Sequence, residues 1–424
     1  MDTIFALSSG APPAGIAVVR VTGSEAATAL ETLCGRVPPP RQAKRAWLHT
    51  PDGSRLDDGL VLYFPGPNSV TGEDLAEFHL HGGRAVIAAV EAALGAIPGL
   101  RKARAGEFTR RAFANGRIDL AEAEGLADLL SAETELQRRT AIGAAGGVVS
   151  RKVEQWRVAL LQLSARIEAV LDFDDEDDVS SPPEQFSADL QLLADDMASV
   201  LAMPSSEPLR EGFRVALAGP PNAGKSTLFN ALLEDEAAIT AAQAGTTRDI
   251  LLRNVAIDGV PFSLVDMAGL RDESGDEIEA IGIDRARSEM ERADLVLWLG
   301  REGEGPEGAW EIEAQCDLAD HEFKKRPDFR ISAVSGDGIA DLKRGMADHA
   351  RGQMPKPGAL ALNARQRTLV GDALGQLEAC AVQDDPLLIA EHLRQARLAF
   401  DALLGRTSTE DVLDALFGRF CIGK

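Results

Sequence analysis

The chain is 424 residues long, 45% hydrophobic and 26% charged, a composition that excludes a disordered or fibrous protein and leaves room for more than one domain. Its formal charge of −23 argues against a phosphate-backbone partner, yet residues 1–160 balance at 18 Lys+Arg against 18 Asp+Glu, so the acidic excess lies beyond them. No apolar run reaches the ~20 residues of a membrane helix. Met1-Asp2-Thr3-Ile4 has no basic leader, and Cys34, Cys316, Cys380 and Cys421 form no C-x-x-C pair. A cytoplasmic chain with no membrane association is expected.

Residues 1–116 read as an α+β domain. Gly15–Val21 and Gly59–Phe64 have the apolar character of strands bounded by Gly and Pro, and 84–94 has helical periodicity. His79 and His81 alternate on a strand-like segment, which fits packing better than a metal pair. Basic clusters at Arg41-Lys44-Arg45, Arg101-Lys102-Arg104, Arg110-Arg111-Arg117 and Arg138-Arg139 are either solvated faces or nucleic-acid contacts. From 117 to 171 the pattern is helical, and an acidic run at 172–178 reads as a solvated loop. Another helix is expected over 185–202, and 364–417 is helical with a break at Asp384-Asp385-Pro386. The simplest architecture is an N-terminal domain over 1–116, an all-α helical domain in two parts, 117–211 and 350–424, and an α/β P-loop domain inserted at 212–349.

The insert opens with the apolar strand Phe213–Ala218, then Gly219-Pro220-Pro221-Asn222-Ala223-Gly224-Lys225-Ser226, then the helical run Thr227–Leu233. This is G-x-x-x-x-G-K-[ST] in the strand–loop–helix setting that its mechanism needs. Backbone N–H groups from Asn222 to Thr227 stabilise phosphate charge. Lys225 reaches the β/γ-phosphates, and the Ser226 hydroxyl completes a Mg²⁺ shell. Downstream, Gly245-Thr246-Thr247 offers a switch threonine. Asp266-Met267-Ala268-Gly269 places Asp266 at a strand end for a Mg²⁺ role and the Gly269 N–H for sensing the γ-phosphate. The order of these motifs resembles that of translation-factor-like GTPases.

Base recognition departs from the usual N-K-x-D. Ala314-Gln315-Cys316-Asp317 keeps only Asp317, as guanine ligand or as a plain surface residue. Ser332-Ala333-Val334 resembles the following S-A-K element, and the connection from Gly300 to Trp310 is too short for the usual helix. Leu270 stands where a water-orienting Gln is common and cannot bond a water, so hydrolysis draws on another group or is very slow. Asp272, Glu273, Asp276, Glu277 and Glu279 are the acidic candidates. The Asn222 side-chain carbonyl suits a monovalent cation, whose charge would serve where an arginine finger otherwise does.

These motifs continue along nearly the whole chain. Asp2-Thr3-Ile4, Pro65–Ser69, Thr71-Gly72-Glu73-Asp74, His81-Gly82-Gly83, Gly106-Glu107-Phe108-Thr109, Arg117–Glu124, the phosphate loop and the terminal Cys421-Ile422-Gly423-Lys424 resemble the MnmE (TrmE) family of bacterial tRNA wobble-uridine modification GTPases. The resemblance implies a folate-binding, homodimerising N-terminal domain and GTP, Mg²⁺, K⁺ and a tetrahydrofolate derivative as cofactors. It also implies an FAD-containing partner, MnmG, with which the family adds an aminomethyl or carboxymethylaminomethyl group to C5 of uridine 34 in tRNA. By the same resemblance potassium drives the two G domains of the dimer together and so activates hydrolysis, Asn222 and Thr246 match K⁺ ligands, and Ser226 and Thr247 match Mg²⁺ ligands. Glu279 matches the acid that orients water, with a solvated helical Glu as its plain alternative. Arg20, Glu77, Arg117 and Lys424 match folate contacts, Arg117 presenting a planar fork where the family has a compact Lys ammonium.

Cys421 is a catalytic candidate in the modification chemistry. The plain alternative is a small packed hydrophobe, while a folded-back Lys424 would favour its thiolate. Ala241 and Gln243 depart from the family's K⁺ loop, which predicts weakened potassium dependence. Arg→Ala changes around 101–117 are expected to weaken tRNA binding. A different class of function is a folate- and tRNA-binding scaffold with an eroded G domain. A ribosome-assembly GTPase would leave Cys421–Lys424 without a purpose.

Overall fold

The computed structural model describes residues 2–172, 184–233, 251–266, 288–356, 358–407 and 409–424. Thr246, Thr247, Gly269, Leu270, Glu279, Ala241 and Gln243, most of the acidic run 172–178 and the other acids proposed for hydrolysis lie outside them. The chain divides into two compact units, Met1–Ala127 with Leu398–Lys424, and Asp128–Arg397.

The first unit is built on a six-stranded sheet in the order β3-β4-β5-β2-β1-β6. The strands are β1 (Thr3–Leu7), β2 (Ala14–Thr22), β3 (Lys44–His49), β4 (Arg55–Phe64), β5 (Leu75–Gly82) and β6 (Leu100–Lys102). All pair antiparallel except β1 with β6. Alternation decides which face is covered. Val19, Val21, Val61, Phe78 and Leu80 point to one side and are buried with residues of α1 (Ala26–Cys34) and α2 (Arg84–Gly95). Each such side chain contributes on the order of 1.5–3 kcal/mol of burial free energy. The opposite face carries Val18, Arg20, Leu60, Glu77 and His79, and Ile16, Trp47 and Leu60 on it are exposed.

The last 27 residues of the first unit fold back onto its beginning. The helix Glu410–Phe417 buries Leu416 and Phe417, and with Phe420 they meet Leu120 and Ala123 of α4 (Leu120–Ser131) and Phe113 of α3 (Glu107–Ala114). The expected second helical part, 350–424, therefore ends in a stretch that packs with the N-terminal residues, because its aromatic face finds its cover there.

In the second unit, the stretch expected as one helical run is broken by local chemistry. Thr134 and Gln137 form a capping box that starts α5 (Glu135–Ala145). The following α6 (Val148–Asp172) buries Val149, Val153, Trp156, Leu160, Leu163, Ile167 and Val170. Their alternate spacing of four and three is that of a helix–helix seam. Trp156 Nε1 donates to Asp196 on α7 (Glu184–Leu201) at 2.6 Å, and α7 packs in turn on the helix Ala364–Ala381.

The second sheet, order β12-β11-β10-β7-β9-β8, comprises β7 (Phe213–Ala218), β8 (Leu251–Ile257), β9 (Val260–Asp266), β10 (Leu295–Trp298), β11 (Trp310–Glu313) and β12 (Phe329–Arg330). It is parallel except for the β8–β9 hairpin, closed by Asp258-Gly259. β7 and β9 are almost wholly buried, as continuous apolar strands of a covered parallel sheet are. The chain's entry to and exit from this sheet lie side by side. Ser206, just before the short helix α8 (Glu207–Glu211), donates its N–H to Leu362 O at 3.1 Å, and the Arg367 guanidinium donates to the carbonyls of Leu201 and Met203.

Candidate nucleotide site and the C-terminal tail

β7 has β9 on one side and β10 on the other, so its carboxyl end is the switch point at which open α/β sheets bind ligands. The phosphate loop leaves the sheet there and runs into α9 (Lys225–Leu233). Gly224 has φ +90°, a backbone conformation that L side chains rarely adopt and that glycine reaches without strain, and its neighbour there is the Gln315 side chain. Lys225 is buried, and its Nζ donates to Gly219 O at 3.0 Å and Pro220 O at 2.8 Å, which holds the ammonium over its own loop. Ser226 Oγ donates to the Asp266 carboxylate at 2.8 Å. A hydroxyl and a carboxylate at hydrogen-bond distance fit the oxygen donors that Mg²⁺ takes, and Lys225 beside them fits a polyphosphate.

Hydrogen bonds between loops bring the base-recognition candidates to the same end of the sheet. Gln315 Nε2 donates to Asn222 O at 3.3 Å. The Cys316 N–H donates to Ile331 O at 3.2 Å, which sets Asp317 beside the turn at Ser332. Asp317 is exposed, Ser332 is fully buried and Ala333 packs on the core beneath. Asn222 (φ 64°) is exposed at the rim, and Thr227 is exposed on α9. A cavity of about 760 Å³ is lined by residues 218–223, Lys225, Trp298, Arg301, Ala314 and Gln315 among others.

The 314–330 segment is organised by a charged cluster that the sequence pattern did not reveal. Glu313 is 1% exposed. It accepts from Arg330 at 3.0 Å, from His321 Nε2 at 3.0 Å and from the Lys324 N–H at 3.3 Å. Burial pushes its carboxyl up, but these donors outweigh burial, and the net shift is downward. Lys324, equally buried, donates to Glu311 at 2.6 Å and to Trp298 O at 2.7 Å. The residues stand too far apart in sequence, from 298 to 330, for a spacing rule to collect them.

In the first unit, Arg20 and Glu77 are direct cross-strand partners and form an ion pair at 2.8 Å. His79 Nε2 lies 3.1 Å from the same carboxylate. Burial raises the Glu77 carboxyl, while the bonds from His79 and Arg20 lower it, and the net shift is downward. Arg117 is exposed, and its side chain lies against Gly72.

The terminal tail docks at the end of β1. Ile422 bridges Ala105, Ser8 Oγ donates to Gly423 O at 2.8 Å, and the Lys424 N–H donates to Cys421 O at 3.2 Å. Cys421 is exposed. β1 pairs Ala6 with Arg20, one residue from the Leu7 carbonyl that Gly423 touches.

The basic clusters are largely neutralised at home. Arg101 pairs with Asp2 and Glu107, Arg110 with Glu410 and Asp414, and Arg111 with Asp2, Glu73 and Glu107. Arg138 and Arg139 share Glu135. Truncating Arg101 or Arg111 would remove ion pairs within the unit, so a loss of tRNA binding in such variants would not by itself identify a footprint.

The family model of the MnmE helical domain matches residues 120–421, and that of the GTP-binding protein TrmE N-terminus matches residues 3–117. The chain is 61% identical over 435 residues to the tRNA modification GTPase MnmE of Novosphingobium aromaticivorans, with 100% of each chain covered. It is 58% identical over 424 residues to that of Erythrobacter litoralis, again with 100% of each covered. With the protein of the same name from Zymomonas mobilis the identity is 47% over 437 residues, and 100% of each is covered.

Proposed function

The chain belongs to the MnmE family of tRNA modification GTPases, and from that premise we propose that it hydrolyses GTP in a K⁺-stimulated cycle that gates modification of the tRNA wobble uridine. The observation that carries this reading is the Ser226–Asp266 contact at 2.8 Å beside the buried Lys225, at the head of α9. Ser226 and Asp266, with Thr247, would hold Mg²⁺, which supplies charge neutralisation at the β/γ-phosphates. Lys225 and the loop N–H groups orient the phosphates and stabilise charge as the γ-phosphoryl leaves.

Asn222 would offer its side-chain carbonyl to K⁺, joined by Thr246. Its exposed place at the cavity rim leaves that carbonyl open to a cation. Glu279 orients the attacking water, since Leu270 has no polar group. Asp317, with Ser332 and Ala333, recognises guanine, and Gly269 senses the γ-phosphate. An intact lysine, serine and aspartate favour a working site over an eroded scaffold.

With MnmG, the FAD-containing partner, the protein adds a carboxymethylaminomethyl or aminomethyl group to C5 of uridine 34. A tetrahydrofolate derivative supplies the one-carbon unit. Arg20 and Glu77 fit its polar head through their paired charges, and Arg117 and Lys424 complete the contacts. Cys421 serves this chemistry from its exposed position at the end of β1. The open face of the first sheet is the homodimer surface. No described helix is long and apolar enough to cross a membrane, and we assign the protein to the cytoplasm.

The test is GTP hydrolysis by the full-length protein in KCl and in NaCl at equal ionic strength, with Asn222→Ala and Glu279→Ala alongside. A K⁺-dependent rate lost in both variants is expected. A negligible rate in both salts would favour the scaffold.

A further inference from the structure

We propose that His321, held between the Glu313 carboxylate and the Leu318 carbonyl, is a positioning residue for the loop that carries Asp317, and that guanine-nucleotide affinity depends on its imidazolium form. The proposal rests on Asp317 as the guanine ligand. Its support is the geometry of the ring. Nε2 lies 3.0 Å from Glu313 Oε1 and Nδ1 lies 2.7 Å from Leu318 O. A carbonyl is an acceptor only, and so is an ionised carboxylate. Both ring nitrogens must therefore carry hydrogens for both bonds to form. The neutral tautomers each leave one contact as an acceptor facing an acceptor.

Leu318 is the residue after Asp317, and its own N–H donates to Gln315 O at 2.9 Å. His321 thus closes a short loop, and Gln315 ties that loop to the phosphate loop through Asn222 O. The anchor at the other end is firm, because Glu313 is 1% exposed and held by the ladder of β11. The charged groups that act on the ring are Glu313 on β11 and Arg330 on β12, while Asp320, Glu322 and Lys324 are the charged neighbours on its own segment. Lys324 is spent on Glu311 and Trp298 O, and Arg330 is spent on Glu313. Glu313 and the Leu318 carbonyl hold the proton on the ring against the opposing charge of Arg330, and His321 titrates above its ordinary value of 6.5.

A group whose value is raised in the ordered state contributes in full below its ordinary value. It loses that contribution as pH climbs through the raised one. Guanine-nucleotide affinity should therefore be highest on the acid side and fall as the imidazolium deprotonates.

The experiment is equilibrium binding of fluorescently labelled GDP to the full-length protein from about pH 6 to about pH 8.5, the range in which a perturbed His titrates. Wild type is compared with His321→Gln, His321→Arg and Asp317→Asn. Wild type should weaken with rising pH by about threefold to tenfold, the scale of one hydrogen bond lost. His321→Gln should bind at the weak, alkaline level throughout. His321→Arg, a permanent cation with several donors, should bind tightly without that slope. The difference between wild type and His321→Arg at each pH removes titration of the nucleotide's own phosphates. A His321→Arg profile that follows wild type, or a His321→Gln that binds as wild type does, would overturn the proposal while Asp317→Asn still weakened binding. An Asp317→Asn variant that bound GDP normally would overturn the guanine-ligand reading and the proposal with it.

Discussion

At the scale of single residues, the nucleotide site rests on groups whose bonds differ greatly in burial. Lys225 is buried and shared between two carbonyls of its own loop. Lys225→Ala removes the charge that we assign to the β/γ-phosphates. GTP hydrolysis measured at saturating K⁺ should fall by about 10²-fold or more, the cost of losing one preorganised donor. Glu313 tests a different property. It is the shared acceptor for Arg330, His321 and the Lys324 N–H, so Glu313→Ala strands several donors at once. The expected cost is about 3 kcal/mol, as for other broken buried pairs, read from denaturant unfolding of the full chain. Arg330→Ala, whose side chain is mostly exposed, should cost about 1 kcal/mol or less. The pH sense of Glu313 is opposite to that of His321. Its carboxyl is lowered from 4.5, so its stabilisation is complete above that value and is lost as acid takes the pH down through the lowered one. A Glu313→Ala variant as stable as wild type would show that the cluster is incidental to the fold.

At the scale of elements, local chemistry was legible in the sequence and long-range pairing was not. The phosphate loop could be read because its mechanism is contained in eight successive residues between a strand and a helix. The helical stretch after 117 was legible as helix but not as separate helices, since its breaks depend on the Thr134–Gln137 cap and on Gly147 in the left-handed region. Cys421–Lys424 was legible as a motif, whereas its seat was not, because Ile422 meets Ala105 across more than 300 residues of chain. The His321–Glu313 cluster was hidden because its members, from Trp298 to Arg330, follow no spacing rule.

The seat of the tail explains its glycine and yields a prediction. Gly423 has φ +92°, and a Cβ there would lie 2.1 Å from Leu7 O. Gly423→Ala combines a left-handed backbone, roughly 1–2 kcal/mol of strain, with a clash against fixed main chain. The tail should leave β1, carrying Cys421 and Lys424 with it. Uridine modification in the presence of MnmG and tRNA should be lost, while K⁺-stimulated GTP hydrolysis by the protein alone stays within about twofold of wild type. Modification that persisted at the wild-type rate would show that the docked tail is not the working form.

At the scale of the whole molecule, charge and surface pattern argue for association of the first unit through its open sheet face. The helices α1 and α2 cover only one side of the six strands. On the other side Ile16 is 64% exposed and Trp47 and Leu60 are each 46% exposed. Three large apolar side chains on one face are a patch of the kind that marks an interaction site. Arg55 stacks on Trp47 at 4.6 Å, which pre-orders an aromatic–arginine pair of the type enriched at interface centres. The even charge balance of residues 1–160 means that two such faces can approach without the repulsion that a net charge of −23 would otherwise impose. Trp47→Glu with Leu60→Glu places a carboxylate on each of two strands of the proposed contact, and each would be buried without a partner in a dimer. Sedimentation velocity should show the wild-type dimer replaced by monomer. Binding of labelled GDP should be unchanged, because the described residues of the candidate nucleotide site belong to the second unit. K⁺ stimulation of hydrolysis should weaken on our reading that potassium draws the two G domains of a dimer together, because the variant would remove the tether between them. A double variant that remained dimeric would move the interface off this face.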